Sequence, residues 1–149
     1  MTNLTTATLV VGEIIAPNAA AQPRQDNACA VFTLDELIKV TGRTSLRPGR
    51  SEQVPTGGTT CTYHSHVGGV VIGLGPTTKS QFDEFRELAG PEAEVVTGIG
   101  DEAFFLGGPD FIHIRVATTN LTVRVNGDQS PALRTVVLNL AKAGVAKLR

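Results

Sequence analysis

Residues 59–74 read Thr59-Thr-Cys-Thr-Tyr-His-Ser-His-Val-Gly-Gly-Val-Val-Ile-Gly-Leu74, and their alternation decides the fold. Over residues 59–66, Cys61, Tyr63 and Ser65 fall on one face while Thr62, His64 and His66 fall on the other, which is the period of a half-buried strand. Gly68-Gly69 makes the turn. Val70, Ile72 and Leu74 then return as the second arm of a hairpin.

Upstream of this hairpin, residues 43–58 carry Pro48, Pro55 and several glycines with little apolar content, so an exposed loop is expected there. Before it, Thr33 followed by Glu36 forms a capping box, and Phe32 can staple onto Leu37. A helix therefore runs to about Thr41 and stops at Gly42, with Leu34, Leu37 and Ile38 as its buried stripe. Downstream, Gly75-Pro76 ends the hairpin. Thr78 with Gln81 caps a second helix whose apolar face is Phe82, Phe85, Leu88 and Ala89, and Gly90-Pro91 stops it.

Four further strands are expected at residues 94–97, 103–106, 111–116 and 121–125, the last two as a second long hairpin. Ser130 as N-cap and Pro131 at the first helical position start a final helix striped by Leu133, Val136, Val137, Leu140, Val145 and Leu148. The order favours an α+β domain over residues 29–149, an antiparallel sheet of about six strands with three helices packed on one face. Tyr63, Val70, Ile72, Leu121, Val123 and Val125 are expected in one core with Leu37, Phe85, Val137 and Leu140.

The chain has 149 residues, 41% of them hydrophobic, which suits one domain with one core. Net charge is −1. No Lys or Arg run could neutralise a phosphate backbone, so nucleic acid is not an expected partner. Anionic membrane surfaces fail on the same ground. The apolar runs fall short of the roughly 20 residues of a membrane span.

Residues 1–28 read as leader and linker. The stretch 7–16 is mostly apolar, and Ala19-Ala20-Ala21 before Gln22 fits a secretory cleavage site, although no basic residue precedes it and Glu13 interrupts it. A start upstream of Met1 would restore the basic region. Residues 17–27 are rich in Ala, Pro and Gln. Cys29 is not expected to carry lipid, because Asp26-Asn27-Ala28 lacks the apolar residue of such sites. The chain has only two cysteines. Cys29 and Cys61 read as a disulfide pair, and such a bridge persists in oxidising compartments, so a secreted or cell-envelope location is expected.

Cys29-Ala-Val-Phe-Thr-Leu-Asp-Glu-Leu, Cys61-Thr-Tyr and Gly98-Ile-Gly-Asp-Glu-Ala-Phe-Phe, followed by a hairpin and an amphipathic helix, resemble the actinobacterial envelope proteins and lipoproteins of domain of unknown function 3558. The resemblance covers residues 29–149. It implies an exported single domain, a Cys29–Cys61 bridge and no established enzymatic activity. The lipid-attachment cysteine of many members is missing.

Candidate chemistry is sparse. His64 and His66 share a strand face and could share a transition metal. His113, opposite in phase to Ile112 and Ile114, also faces outward. With Arg115 and Arg124 as neighbours and no carboxylate on those strands, a solvated sheet face is the expected reading, without metal or cofactor. Asp101-Glu102 could serve as an acid/base pair, but adjacent strand residues point apart, and Asp101 is expected to cap its turn. Gly98-x-Gly100 lacks the lysine and helix of a phosphate loop. His64, His66, His113, Arg115 and Arg124 remain as residues that would meet a ligand or partner. The expected function is a non-catalytic envelope domain binding a small apolar ligand or a partner protein through the uncovered sheet face or the 43–58 loop. The alternative is a metal-assisted or acid/base enzyme built on the three histidines.

Overall fold

Thr33 and Thr78 cap their helices as their sequence patterns predict. The Thr33 hydroxyl accepts from the Glu36 amide while Glu36 accepts from the Thr33 amide at 2.7 Å, opening α1 (Leu34–Thr41). Thr78 and Gln81 exchange the same pair of bonds to open α2 (Lys79–Ala89). The final helix, α3 (Leu133–Leu148), begins with Ala132 at its N-cap, two residues beyond the expected Ser130. The structure is a computed structural model describing residues 27–127 and 130–149. The expected leader and nearly all of the linker lie outside the described residues.

Among the described residues seven strands form one antiparallel sheet, one more than the sequence suggests. They are β1 (Arg50–Gln53), β2 (Thr59–Tyr63), β3 (Val70–Pro76), β4 (Ala93–Val96), β5 (Glu102–Leu106), β6 (Phe111–Val116) and β7 (Thr119–Val125). Their order is β1-β2-β3-β7-β6-β5-β4. Two meanders of sequence neighbours are thus joined at one pairing, β3 with β7, where Ile72 faces Val123 and Leu74 faces Leu121. The added strand, β1, lies inside the segment expected to be loop. That segment also buries Leu46 and Arg43, whose guanidinium donates to the Gly69 and Asn126 carbonyls at 3.2 and 2.7 Å.

Period-2 alternation sorts the strands into two faces. The main core collects Cys61, Tyr63, Val70, Ile72, Leu121, Val123, Val125, Ile112 and Ile114 with Leu37 of α1 and Val137 and Leu140 of α3. The Cys29–Cys61 disulfide is formed, with Cα atoms 5.0 Å apart, and fixes the start of the domain to β2. Beside it the Ala28 amide donates to the Thr59 hydroxyl at 2.7 Å.

The sequence reading puts all three helices on this face; the structure puts α2 on the other. Phe82 and Phe85 of α2 meet Phe104, a residue that alternates with the core residues Ala103 and Phe105. Phe85 consequently lies outside the main core. Of the expected α2 stripe only Phe82 is buried; Phe85 is 41% exposed and Leu88 79% exposed. No helix among the described residues is long and apolar enough to cross a membrane.

Candidate functional site

On the second face, one row of paired residues crosses the sheet: Phe104 of β5 opposite His113 of β6, His113 opposite Thr122 of β7, Thr122 opposite Gly73 of β3, and Gly73 opposite Thr60 of β2. α2 covers one end of the row. Among the described residues the other end is open, and between them lies a cleft of about 520 Å³ floored by Thr60, Gly73, Asn120 and Thr122 and walled by Gln81, Phe82 and Phe85. A recess of about 590 Å³ continues from it past Gly75 and Pro76 to Thr118 and Thr119.

Sequence shapes this floor. Thr60, Gly73 and Thr122, which alternate with aliphatic core residues, carry small side chains, so nothing bulky rises from the sheet at the cleft floor. Gly73 has no room for a Cβ, because the Thr122 hydroxyl lies across it. Gly58, at φ +89°, brings the β1–β2 turn against the Leu74 carbonyl, where a Cβ would collide, and so closes the cleft on that side.

His113 stands under the covered end. Its ring stacks on Phe104 at 5.1 Å and 7°, and Phe85 and Phe111 pack against it at 5.0 and 4.4 Å. The residue is 7% exposed, and neither ring nitrogen has a hydrogen-bond partner among the described residues. Burial, reinforced by the Arg124 charge, lowers its pKa to about 4. The outward phase read from sequence therefore leads not to solvent but beneath α2. A neutral imidazole retains one donor and one acceptor for a guest.

The other expected site residues are elsewhere or engaged. β2 ends at Tyr63, so His64 and His66 belong to the following turn, exposed beside Ser45 and Arg47 in a separate shallow recess. No group of three His, Cys, Asp or Glu side chains suited to a metal occurs among the described residues. The histidine strands carry no carboxylate, but Arg115 is bound from β5 and the turn before it, by Glu102 at 2.9 Å and Asp101 at 3.5 Å. Arg124 lies 4.0 Å over the Phe111 ring with Asp110 4.0 Å away. Asp101 accepts from the Ala117 amide at 2.7 Å, a turn-capping role, while Glu102 also pairs with Lys79 and Arg86 of α2.

The cleft residues Thr60, Gly73, Asn120, Thr122 and Gln81 are absent from the sequence-based candidates. A signal existed: the alternation that places aliphatics on one face places small polar residues on the other. Compared with known proteins, the chain matches no protein-family model, no curated protein and no solved structure.

Proposed function

We propose that this chain is an exported, non-catalytic envelope domain that binds a small apolar ligand in the cleft between α2 and the second face of the sheet. The observation that carries the reading is Phe85, an aromatic side chain left 41% exposed on the wall of a 520 Å³ cleft. That volume falls in the roughly 300–1,000 Å³ range of small-molecule sites. Filling it would remove the Phe85 ring from water, a gain of about 25 cal/mol for each Å² of apolar surface covered. Export rests on the Cys29–Cys61 bridge, which persists where thiols are oxidised. The resemblance to the envelope family of domain of unknown function 3558 points the same way.

Titrating labelled protein with naphthalene and following its amide resonances tests the reading. Shifts should cluster at Thr60, Gly73, Phe85, Asn120 and Thr122, and a Thr60→Phe variant that fills the floor should abolish them. Absence of shifts, or shifts confined to the His64 and His66 recess, would remove the cleft as the site.

A further inference from the structure

Four of the six phenylalanines, Phe82, Phe85, Phe104 and Phe111, gather on the second face around His113. A phenyl ring at position 113 would stack there equally well. Instead the position holds an imidazole whose two nitrogens are buried without partners. Buried polar groups in folded proteins nearly always have a hydrogen-bond partner, so two nitrogens without one among the described residues point to a group beyond them. Two of the side chains next to His113, Phe85 at 5.0 Å and Thr122 across the β6–β7 ladder, also line the cleft. His113 does not itself line the cleft, so the partly exposed Phe85 side chain has to turn aside for a guest to reach the imidazole. Asn120, two residues from Thr122 on the same face, adds a second buried acceptor without a partner, its Oδ1.

We infer that the ligand of this cleft is a neutral aromatic alcohol, its ring packed against Phe85 and its hydroxyl hydrogen-bonded to His113; the inference rests on the cleft being a binding site. Neutrality follows from the neighbouring charges. Arg115 is occupied by Glu102 and Asp101, and Asp83 and Glu102 by Lys79 and Arg86, while Arg124 lies over the Phe111 ring with Asp110 4.0 Å away. No charged side chain lines the cleft among the described residues, so a carboxylate or an ammonium would enter it without a counter-charge, at a heavy desolvation cost. A hydroxyl both donates and accepts, and so satisfies either tautomer of a neutral imidazole. An aromatic body suits the one wall that Phe82 and Phe85 form.

The test compares 2-naphthol, naphthalene and 2-naphthoate. The chain contains no tryptophan, so naphthol emission is read without indole background. 2-Naphthol should bind the wild-type protein at least about tenfold more tightly than the other two, the difference one hydrogen bond to a buried unsatisfied group supplies. In His113→Phe its affinity should drop to that of naphthalene, whose own binding is retained. If that variant does not fold, the His113 ring-nitrogen resonances of the wild-type protein decide. They should move on adding 2-naphthol and stay in place with naphthalene. Equal binding of 2-naphthol and naphthalene overturns the alcohol while leaving the apolar cleft intact. Preference for 2-naphthoate, or unmoved ring nitrogens, also overturns it; no binding by any of the three removes the cleft reading as well.

Discussion

Burial among phenyl rings, with the Arg124 charge beside it, keeps the His113 pKa at about 4, below its value of about 6.5 in an unfolded chain. Between those pH values the unfolded chain binds the extra proton, so stability rises with pH there. This contribution is complete above about pH 6.5, drains away as pH falls to about 4, and is constant below that. Its size is on the order of 3 kcal/mol. Denaturant midpoints at pH 7 and 4.5 should therefore separate more for the wild-type protein than for His113→Phe, and equal separations would assign the acid loss to other groups. Ala117 offers a second residue-scale check. It occupies the left-handed region at φ +53° in the β6–β7 turn, held by Asp101 on its amide and Arg115 on its carbonyl. Ala117→Gly should raise stability by about 0.5–1 kcal/mol, read as a shifted unfolding midpoint. The phase of His113 was legible from Ile112 and Ile114 beside it. Its burial was not, because the cover comes from Phe85, 28 residues earlier in the chain, and no local pattern announces a distant roof.

α2 separates what a helix declares locally from what it does not. Thr78, Gln81 and Gly90-Pro91 fixed its limits, whereas Phe82, Phe85, Leu88 and Ala89 suggested a full apolar face and the helix buries only Phe82. Periodicity gives the direction of a stripe but not how much sheet lies beneath it. Here α2 meets the sheet through a ring cluster and through Lys79 and Arg86 on Glu102. Phe82→Ala should cost about 3–5 kcal/mol, whereas Leu88→Ala should change stability by less than about 0.5 kcal/mol. Comparable losses from the two would place Leu88 against the sheet after all. β1 was hidden for a related reason. Arg50-Ser-Glu-Gln carries no apolar alternation and all four residues are exposed, so its strand character resides in the ladder it makes with β2. An edge of this composition also discourages pairing with other chains.

Across the whole molecule, strand alternation and the helical stripes identified the core members apart from Phe85: Tyr63, Ile72, Val123, Val137 and Leu140 are all buried together. Leu140→Ala should cost about 2–5 kcal/mol, and an unchanged midpoint would mean that α3 does not pack on the sheet as described. Strand order was not legible, since alternation tells which way a side chain points and nothing about which strand lies alongside. Reducing the Cys29–Cys61 bridge, which spans 32 positions, should lower stability by about 3–4 kcal/mol, measured by denaturant titration with and without reductant. The bridge also divides the molecule in time. It joins the segment before α1 to β2 and so lies wholly within the first half of the domain, while β4 to β7 and α3 are tied to that half chiefly through the β3–β7 ladder and the α1–α3 contact. Each meander can zip from adjacent segments, and only their docking must close a long chain loop, so docking is the slow step in folding. On reduction the two parts should open as separate units, and hydrogen exchange should then run ahead in the amides of β1 and β2 while those of β6 and β7 stay protected.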